Sequence, residues 1–252
     1  MSTPRKILIA GESWVTHSIH QKGFDAFTTT SYNEGVGPLR DALESGGFDV
    51  DYLPNHVAAR DFPDSAAALA GYAAVILSDI GSNTLLLHPD TFERSVPRPD
   101  RLAAVRDYVA AGGGLVMVGG YLTFAGIEGR ARWAGTPIEE ALPVTIATGD
   151  DRVEVPAGAA PRVRLPDHAI TAGLPATWPD LLGYNRVSPR ASADLVVSVG
   201  DDPLIVAGIH GEGRGVAFTS DCGPHWCPPP FVAWEGYGFM WRQLVGWVSG
   251  AG

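Results

Sequence analysis

The sequence predicts an α/β fold in which a mainly parallel sheet carries helices on both faces and is extended by a β-rich C-terminal half. Short unbroken apolar runs, typical of strands buried on both faces, alternate with helical patterns over residues 1–120. Parallel pairing needs long crossovers, and these helices supply them. The length of 252 residues with 45% hydrophobic residues allows a sizeable core, and we expect one domain over residues 1–252.

Two helices are recognisable from their ends. Pro38 lies at the start of the first, and Gly46 and Gly47 follow it, which is the usual asymmetry of helix termini. The second opens at Pro99 and Asp100 and stops at a triple glycine. The predicted parallel strands span residues 6–10, 49–53, 73–77 and 115–118, and the first helix spans residues 37–45.

From about residue 145 the sequence becomes β-rich, with glycine and proline turns between short strands. Mixed or antiparallel edge strands fit this half, and a closing helix follows them. The predicted strands lie at residues 152–155, 161–165, 194–199, 204–209 and 215–219, and the helix at residues 237–248.

Composition argues against several classes of partner. The 18 Lys and Arg against 28 Asp and Glu give a net charge of −10, which repels nucleic acid. The first apolar run is too short for a signal peptide or a membrane span. Two cysteines cannot build a disulfide framework. We therefore predict a cytoplasmic protein that binds neither nucleic acid nor membrane, with a homodimer as the default assembly.

Polar side chains follow four predicted strands of the parallel sheet. The carboxyl ends of parallel strands meet at one edge, so we expect these residues to converge on one rim that binds a small molecule. The candidates are Glu12, Trp14, His17, His20, Asp79, Tyr121, Asp221, Cys222, His225 and Trp226.

Cys222 and His225 are the sharpest pair in this set. A cysteine becomes a nucleophile as its thiolate, and a nearby imidazole favours that form. The alternative is that Cys222 packs as a small hydrophobic residue while His225 caps a turn. The aromatic residues of the set have two interpretations of their own. Trp14, Tyr121 and Trp226 either form the walls of a ligand pocket or belong to the hydrophobic core.

A divalent transition metal is the candidate cofactor, because imidazole and thiolate are ligands that zinc accepts. The spacing matches no known zinc signature, and histidines hydrogen-bonded within polar loops are the alternative. Carboxylates at strand ends would then orient a ligand or act as general base, or accept loop N–H groups. The metal set is His17, His20, Cys222 and His225, with Cys227 as a further ligand and Glu12 and Asp79 beside it.

Four stretches of the chain resemble one known family. They are GESWVTHSIHQKGFD (residues 11–25), YAAVILSDIGSNTLLL (72–87), GGGLVMVGGYLTFAGIEG (112–129) and AFTSDCGPHW (217–226). Together they resemble the glutamine amidotransferase-like family of bacterial cytoplasmic proteins, a relative of the trehalose-utilisation group. The resemblance implies a class I glutamine amidotransferase-like fold with a flavodoxin-like parallel sheet.

The resemblance does not carry the activity with it. In class I amidotransferases the elbow after the fourth strand reads Gly-x-Cys-x-Gly, whereas Tyr121 stands at the cysteine position here. A phenol does not replace a thiolate, and the family's late His-x-Glu pair is absent around Asp221. Ordinary glutaminase chemistry is therefore not expected, although Cys222 and His225 are candidates for a relocated site.

Two hypotheses about function remain. The first is a small-molecule enzyme, hydrolase-like or lyase-like, in which Asp221 or Glu12 is the base and Tyr121 a donor to the substrate. His225 is the acid or a ligand in it, and Cys222 the nucleophile or a ligand. In it, the substrate-binding residues are Trp14, His17, His20, Asp79, Tyr121 and Trp226. The second is a non-catalytic ligand-binding or scaffolding protein on the same fold.

Overall fold

The structure is a computed structural model that describes residues 5–250. In chain order its strands are β1 Lys6–Gly11, β2 Ser13–Lys22, β3 Asp25–Glu34, β4 Asp49–Leu53, β5 Ala74–Ser78, β6 Gly114–Val118, β7 Val144–Thr145, β8 Arg152–Ala159, β9 Pro161–Val163, β10 Leu181–Asn185, β11 Ser188–Pro189, β12 Asp194–Val199, β13 Asp202–His210 and β14 Gly213–Phe218. The helices are α1 Gly37–Glu44, α2 Asn55–Asp61, α3 Ala66–Leu69, α4 Ser82–Leu86, α5 Pro89–Arg94, α6 Arg101–Ala110, α7 Pro137–Ala141, α8 Pro229–Val232 and α9 Glu235–Val248.

An eight-stranded sheet organises the molecule, with the strand order β4-β1-β5-β6-β14-β13-β12-β9. The first five strands of this order are parallel, and β13, β12 and β9 continue the sheet antiparallel. This confirms the predicted α/β class, the mainly parallel sheet and the antiparallel extension. Because β14 returns from the C-terminal half to pair with β6, both halves of the sequence contribute to one set of carboxyl strand ends.

Each central strand is buried on both faces, which explains its unbroken apolar run. In β1, Ile7 and Ile9 pack in the core that α1 and α9 cover, while Leu8 and Ala10 pack in the core that α6 covers. Successive side chains point to opposite faces of a strand, so one five-residue run serves both cores. The helices on both faces are therefore confirmed as predicted.

The ends of α6 follow the predicted signals. Asp100 is the N-cap, and its Oδ1 accepts hydrogen bonds from the backbone N–H groups of Leu102 and Ala103. Gly112 follows the helix with a φ of +110°, a conformation that glycine adopts at little cost. The helix is thereby placed directly before β6.

The segment after β1 differs from the prediction. The polar loop expected to carry His17 and His20 to the rim is a long antiparallel hairpin, β2 and β3, in which nearly every side chain is exposed. Ser13 pairs with Glu34 at its base, and Lys22 pairs with Asp25 at its tip. The histidines therefore follow the hairpin outward instead of turning over the sheet.

Two further pairs of strands lie outside the main sheet. β8 pairs with β10 and β7 pairs with β11, both antiparallel. The predicted strand at residues 152–155 belongs to the first of these pairs. Within residues 5–250, no helix is both long and apolar enough to cross a membrane.

Candidate functional site

The carboxyl ends of β1, β5, β6 and β14 lie side by side, because these strands are parallel neighbours in the sheet. Glu12 follows β1, Asp79 follows β5, Tyr121 follows β6 by three residues, and Asp221 follows β14 by three residues. Together they border a cavity of about 530 Å³. The cavity is lined by Glu12, Trp14, Gly35, Asp79, Tyr121, Leu122, Ile127, Arg130, Asp221, Gly223, Pro224 and His225.

The backbone after β1 turns sharply to bring Glu12 into this cavity. Gly11 has a φ of +114°, and a Cβ there would lie 1.8 Å from the carbonyl oxygen of Ser78, so a side chain cannot fit. Glu12 itself has a φ of +50°, and its N–H donates to that same oxygen at 2.8 Å. Asp79, at the end of the neighbouring strand, has a φ of +40°. Left-handed conformations are unfavourable for non-glycine residues, and two of them at adjacent strand ends are typical of the backbone strain found at functional sites.

Three acidic side chains form the floor of the cavity and influence one another through their charges: Glu12 and Asp221 are buried, and Asp79 is partly buried. Burial, together with the charge of Asp79, raises the pKa of Glu12 to about 7. Burial also raises the pKa of Asp79, against the hydrogen bond that its Oδ1 accepts from the Leu122 N–H at 2.7 Å. The pKa of Asp221 lies well above its usual range because of burial and the charges of Glu12 and Asp79. The floor therefore holds protons at neutral pH that ordinary carboxyl groups would release.

His225 stands at the mouth of the cavity in an aromatic setting. Its Nδ1 lies 4.0 Å from Asp221 Oδ2, and its ring meets the Tyr121 ring edge-on at a centroid distance of 4.3 Å. The Trp226 ring stacks on the His225 ring at 5.4 Å and also meets the Tyr121 ring at 5.6 Å, so the three rings contact one another. The Tyr121 hydroxyl and the Trp226 indole N–H both donate to Glu154. These contacts fix the imidazole beside the acidic floor while leaving part of it open to solvent.

The turn that replaces the family's nucleophile elbow is held by two residues that the sequence analysis did not single out. Asn185 is fully buried, and its Oδ1 accepts the Gly120 N–H at 2.9 Å while its Nδ2 donates to Asp151. The Asp151 carboxylate accepts the N–H groups of Ala125 and Gly126. Both residues come from the β-rich half, and no local motif marks them.

Cys222 does not form the expected pair with His225. The thiol is fully buried, and its polar neighbour is the Ser78 hydroxyl, 3.7 Å from Sγ. Burial and the nearby charge of Glu12 raise its pKa well above the ordinary value, which is the opposite of what a thiolate nucleophile needs. Asp221 occupies the place beside the imidazole instead. Cys227 is also buried, with a pKa raised by burial.

The histidines expected to bind a metal are not brought together. His17 Nδ1 lies 3.0 Å from Thr30 Oγ1 across the hairpin, and the His20 ring stacks on Phe27 at 4.5 Å. Neither histidine lines the cavity. The long strands β2 and β3 carry both of them away from Cys222 and His225, for the reason given above.

A different set of ligand types does meet in the floor. Among the described residues, Glu12, Asp221 and Cys222 place a carboxylate oxygen, a second carboxylate oxygen and a sulfur within 4.8 Å of one another. Carboxylate and thiolate are ligands that divalent transition metals accept. The residues present therefore fit a metal, with this set in place of the expected histidine set.

The aromatic candidates divide between the two interpretations. Trp14, at the base of β2, is 44% exposed and lines the cavity, as a substrate-binding residue would. Tyr121 is partly exposed and also lines it. Trp226 is 1% exposed and its ring stacks on that of His225, so it contributes to the site through packing.

The comparisons with known proteins agree on one family and one fold. The family model described as "Putative glutamine amidotransferase" matches residues 6–250. The chain is 42% identical to the cytoplasmic protein STM3548 from Salmonella typhimurium, with a TM-score of 0.93 over 96% of this chain and 98% of that one. It is 45% identical to the cytoplasmic protein STM1381 from Salmonella typhimurium LT2, with a TM-score of 0.93 over 96% and 99%.

A more distant structure shares the fold. A "Putative thua-like protein" from Parabacteroides merdae ATCC 43184 is 15% identical, with a TM-score of 0.61 over 98% of this chain and 90% of that one. At this identity the similarity concerns the fold alone. None of the curated proteins matches the sequence.

Proposed function

The chain belongs to the family described as "Putative glutamine amidotransferase", and from this premise we propose that it is a small-molecule enzyme, hydrolase-like or lyase-like, whose site is the cavity at the carboxyl ends of the strands. The family confirms the resemblance found in the sequence. The reaction is our proposal, because the residues of this cavity differ from those of the family's glutaminases.

One observation supports the proposal most directly: three carboxyl groups at the ends of β1, β5 and β14 open onto the same cavity, and two of them, Glu12 and Asp221, are buried. Glu12 and Asp79 are held there in left-handed backbone conformations, and Asp221 is 6% exposed. A structural role would be served at lower cost by uncharged side chains, because buried acidic groups are expensive unless paired with a cation. Such groups cluster at sites of proton transfer.

Glu12 is the proposed general acid and base. A carboxyl group with a pKa of about 7 exists in both forms at neutral pH, which is the condition for taking and returning a proton in one turnover. As a carboxylate it accepts a proton from a water or from the substrate, and as an acid it gives that proton to the leaving group. The Ser78 hydroxyl, which donates to Glu12 Oε2, orients the group.

His225 and Tyr121 are the proposed substrate contacts at the mouth. The imidazole lies beside Asp221 and is accessible from the cavity, so it can hydrogen-bond a polar group of the substrate or carry a second proton. Trp14 and Leu122 provide apolar walls around an acidic floor. We therefore expect a substrate with an apolar part against Trp14 and Leu122 and a polar group that hydrogen-bonds the carboxyl groups of the floor.

Glutaminase chemistry is not part of this proposal. The turn after β6 presents Tyr121, whose phenol is engaged with Glu154 and whose pKa is raised by burial and by that carboxylate. Cys222, the remaining candidate nucleophile in this region, is buried beneath Glu12. We expect no release of ammonia from glutamine by the purified protein.

A non-catalytic ligand-binding role is the second candidate, and one observation favours it. The polar groups of Tyr121 and Trp226 are already satisfied by Glu154, so part of the mouth is internally paired, as in a rigid binding site. Binding without turnover of every compound that occupies the cavity would support this candidate.

The test is a panel of chromogenic esters, amides and glycosides, with elimination substrates for the lyase alternative, assayed across pH. We expect turnover whose pH profile has a limb near pH 7, and we expect Glu12→Gln to abolish this turnover. Glu44→Gln is the matched control, because Glu44 is exposed on α1, outside the residues that line the cavity. Equal activity of both variants with a discovered substrate would remove Glu12 from the mechanism.

The divalent transition metal stays a prediction, as an alternative to the proton-transfer role of Glu12, now with Glu12, Asp221 and Cys222 as its proposed ligands. When bound there it would supply a Lewis acid next to the substrate. The metal content of protein purified without chelator tests this directly. A stoichiometric metal that is lost in Cys222→Ser supports the ligand set, and a metal content unchanged by that substitution contradicts it.

We also propose that the protein acts in the cytoplasm on a small molecule. The sequence predicts this compartment, and the names of both Salmonella relatives state it for those proteins.

A further inference from the structure

Glu154 lies beside the candidate site, outside the residues that line its cavity. It belongs to β8, and its two carboxylate oxygens accept hydrogen bonds from different aromatic residues. Oε1 accepts from the Tyr121 hydroxyl at 3.1 Å, and Oε2 accepts from the Trp226 indole N–H at 2.9 Å. Both aromatic rings contact the imidazole of His225, at centroid distances of 4.3 Å and 5.4 Å. One side chain therefore holds two rings against which His225 packs.

A carboxylate suits this position because both of its partners donate a hydrogen bond to it. The indole N–H of Trp226 is a donor with no acceptor capacity, and this residue is buried. A buried donor without a partner is unfavourable, and the two oxygens of a carboxylate accept both bonds at once. Without the Glu154 side chain, the Trp226 ring and the Tyr121 hydroxyl would lose the group that fixes their direction.

The strand opposite Glu154 leaves room for the Trp226 ring. Gly183 of β10 pairs directly with Glu154, and directly paired residues point to the same face of a strand pair. A Cβ on Gly183 would lie 2.4 Å from Trp226 Nε1, so the indole occupies the space that a side chain would fill. The Leu182 N–H also donates to the Trp226 carbonyl oxygen at 2.8 Å. β8 and β10 together therefore hold Trp226 by both its backbone and its ring.

Arg152 supports Tyr121 from the same strand. Residues two apart on a strand share a face, so Arg152 and Glu154 point the same way from β8. The Arg152 guanidinium lies over the Tyr121 ring at 5.0 Å, and its Nη1 is 4.0 Å from Glu154 Oε1. It is also bonded to Asp150 through Nε and Nη2. The Tyr121 ring is therefore held on its face by Arg152 and at its hydroxyl by Glu154.

The imidazole of His225 depends on these rings for its direction. Its Nδ1 lies 4.0 Å from Asp221 Oδ2, and its side chain is half-exposed at the mouth of the cavity. Tyr121 and Trp226 contact its ring on the protein side. A misplacement of about 1 Å is enough to lose much of a catalytic contact. A group that fixes both rings therefore also fixes where the imidazole nitrogens point.

We propose that Glu154 is a positioning residue of the candidate site, which sets the direction of the His225 imidazole through Tyr121 and Trp226. This rests on the proposed function, because His225 is a substrate contact there. It extends that function to a residue of the β-rich half that does not line the cavity. The β8–β10 pair, which lies outside the main sheet, is then part of the site's support.

The direct test is an NMR spectrum of the full chain with carbon-13 in its seven histidines, recorded at one pH. The His225 signal is the one that disappears in His225→Gln. Its ring resonances should differ between the folded and the urea-unfolded protein, because the ring current of the stacked indole displaces them. We expect Glu154→Ala to remove at least about half of this difference and to leave the other histidine signals in place.

Glu154→Gln separates position from charge. Its amide oxygen can accept from the indole N–H while its NH2 group donates to the phenol oxygen, so the His225 signals should stay where they are in the parent. Glu44→Ala is the matched control for loss of a carboxylate, since Glu44 is exposed on α1. Unchanged His225 signals in Glu154→Ala would overturn the proposal, and so would a glutamine variant as altered as the alanine variant.

Tyr121→Phe provides a second route to the same question. It keeps the ring and removes the hydroxyl that bonds Glu154. If this hydroxyl acts on His225 through Glu154, the substitution moves the His225 signals in the parent but adds nothing in Glu154→Ala. Because the change is nearly isosteric, the single variant also tests the proposal by itself. Unmoved signals in Tyr121→Phe, or additive effects of the two substitutions, would contradict it.

Kinetics connect the position of His225 to the reaction. With a substrate found in the panel, Glu154→Ala should lower kcat/KM at least about 10-fold, and Glu154→Gln should stay within about threefold of the parent. Unchanged kcat/KM in Glu154→Ala, with displaced His225 signals, would contradict the role of His225 in the proposed function. The spectra decide the role of Glu154 separately, because they need no turnover.

Discussion

Glu12 is the residue on which the proposed chemistry depends, and its position explains its pKa. The side chain is buried where β1 meets β5, and the carboxylate of Asp79 stands beside it without a buried cation to offset the charge. Removing the Glu12 proton therefore costs free energy in the folded state that it does not cost in the unfolded chain. The same property that suits the residue for proton transfer weakens the fold at high pH.

This gives a prediction for stability against pH. As far as Glu12 is concerned, stability is greatest below pH 4.5, its ordinary pKa, and is lost as the pH rises to about 7. Glu12→Gln cannot lose a proton, so its stability relative to the parent should rise by roughly 3 kcal/mol between pH 4 and pH 8. Urea unfolding at both pH values measures the change. Glu44→Gln should show no such trend, and a parallel response of the two variants would contradict the burial argument.

The two thiols provide a second prediction at this scale. Cys222 and Cys227 are both fully buried, and burial raises both pKa values. In the native protein at pH 8 both should therefore react with a thiol reagent at least about 100-fold more slowly than in denaturant, where two equivalents react. Rapid labelling of one native thiol would restore a nucleophilic role for it.

At the scale of elements, a glycine allows the ends of β6 and β14 to lie close together. A Cβ on Gly119 would lie 2.1 Å from the carbonyl oxygen of Thr219, because the ends of β6 and β14 approach each other without room for a side chain. The Tyr121 turn and Asp221 follow those two ends. Their relative position, and hence the shape of the cavity, depends on this close contact.

Gly119→Ala should therefore destabilise the protein by about 3 kcal/mol, since backbone must move on one side of the contact. Gly71→Ala is the control, because a Cβ there would meet nothing within 4 Å, and its effect should be less than about 1 kcal/mol. Urea unfolding of the two variants makes the comparison. A small effect at Gly119 would mean that the two strand ends can separate freely.

Patterning predicted the elements that bury an apolar side, and it missed the one that does not. The strands β1, β5 and β6 read as apolar runs, and α6 shows its caps in the sequence. β2 and β3 were expected to be loop, because strand recognition relied on burial, and these strands are exposed on both sides. The signal present was the content of β-branched residues: Val15, Thr16 and Ile19 in β2, and three consecutive threonines at residues 28–30 in β3.

At the scale of the whole molecule, one sheet contains strands that are distant from one another along the chain. Both β1 and β14 belong to it, and the clusters on its two faces are built from alternate residues of the same strands. Trp241 lies in one cluster and Trp133 in the other. Neither cluster can come apart without exposing the other face of the strands.

We therefore expect tryptophan fluorescence and far-ultraviolet circular dichroism to follow one coincident urea transition at fixed protein concentration. This is a test of the prediction that residues 1–252 form a single domain. Two separated transitions, with residues after about 145 unfolding apart from the rest, would contradict it.

Local sequence patterns were enough to predict the α/β class, the parallel strands, the rim of polar residues and the family. Hydrophobic periodicity, glycine and proline act over a few neighbouring residues and can be recognised in the sequence. It was sufficient also to place Glu12, Asp79, Tyr121 and Asp221 on one edge, since parallel strands end together. Which side chains on that edge touch was beyond it: Asp221 rather than Cys222 stands beside His225, and Asn185 reaches Gly120 from the far half. Side-chain contacts, burial and the pKa values that follow from them depend on residues that are distant in sequence. Such residues become neighbours when the strands assemble into the sheet.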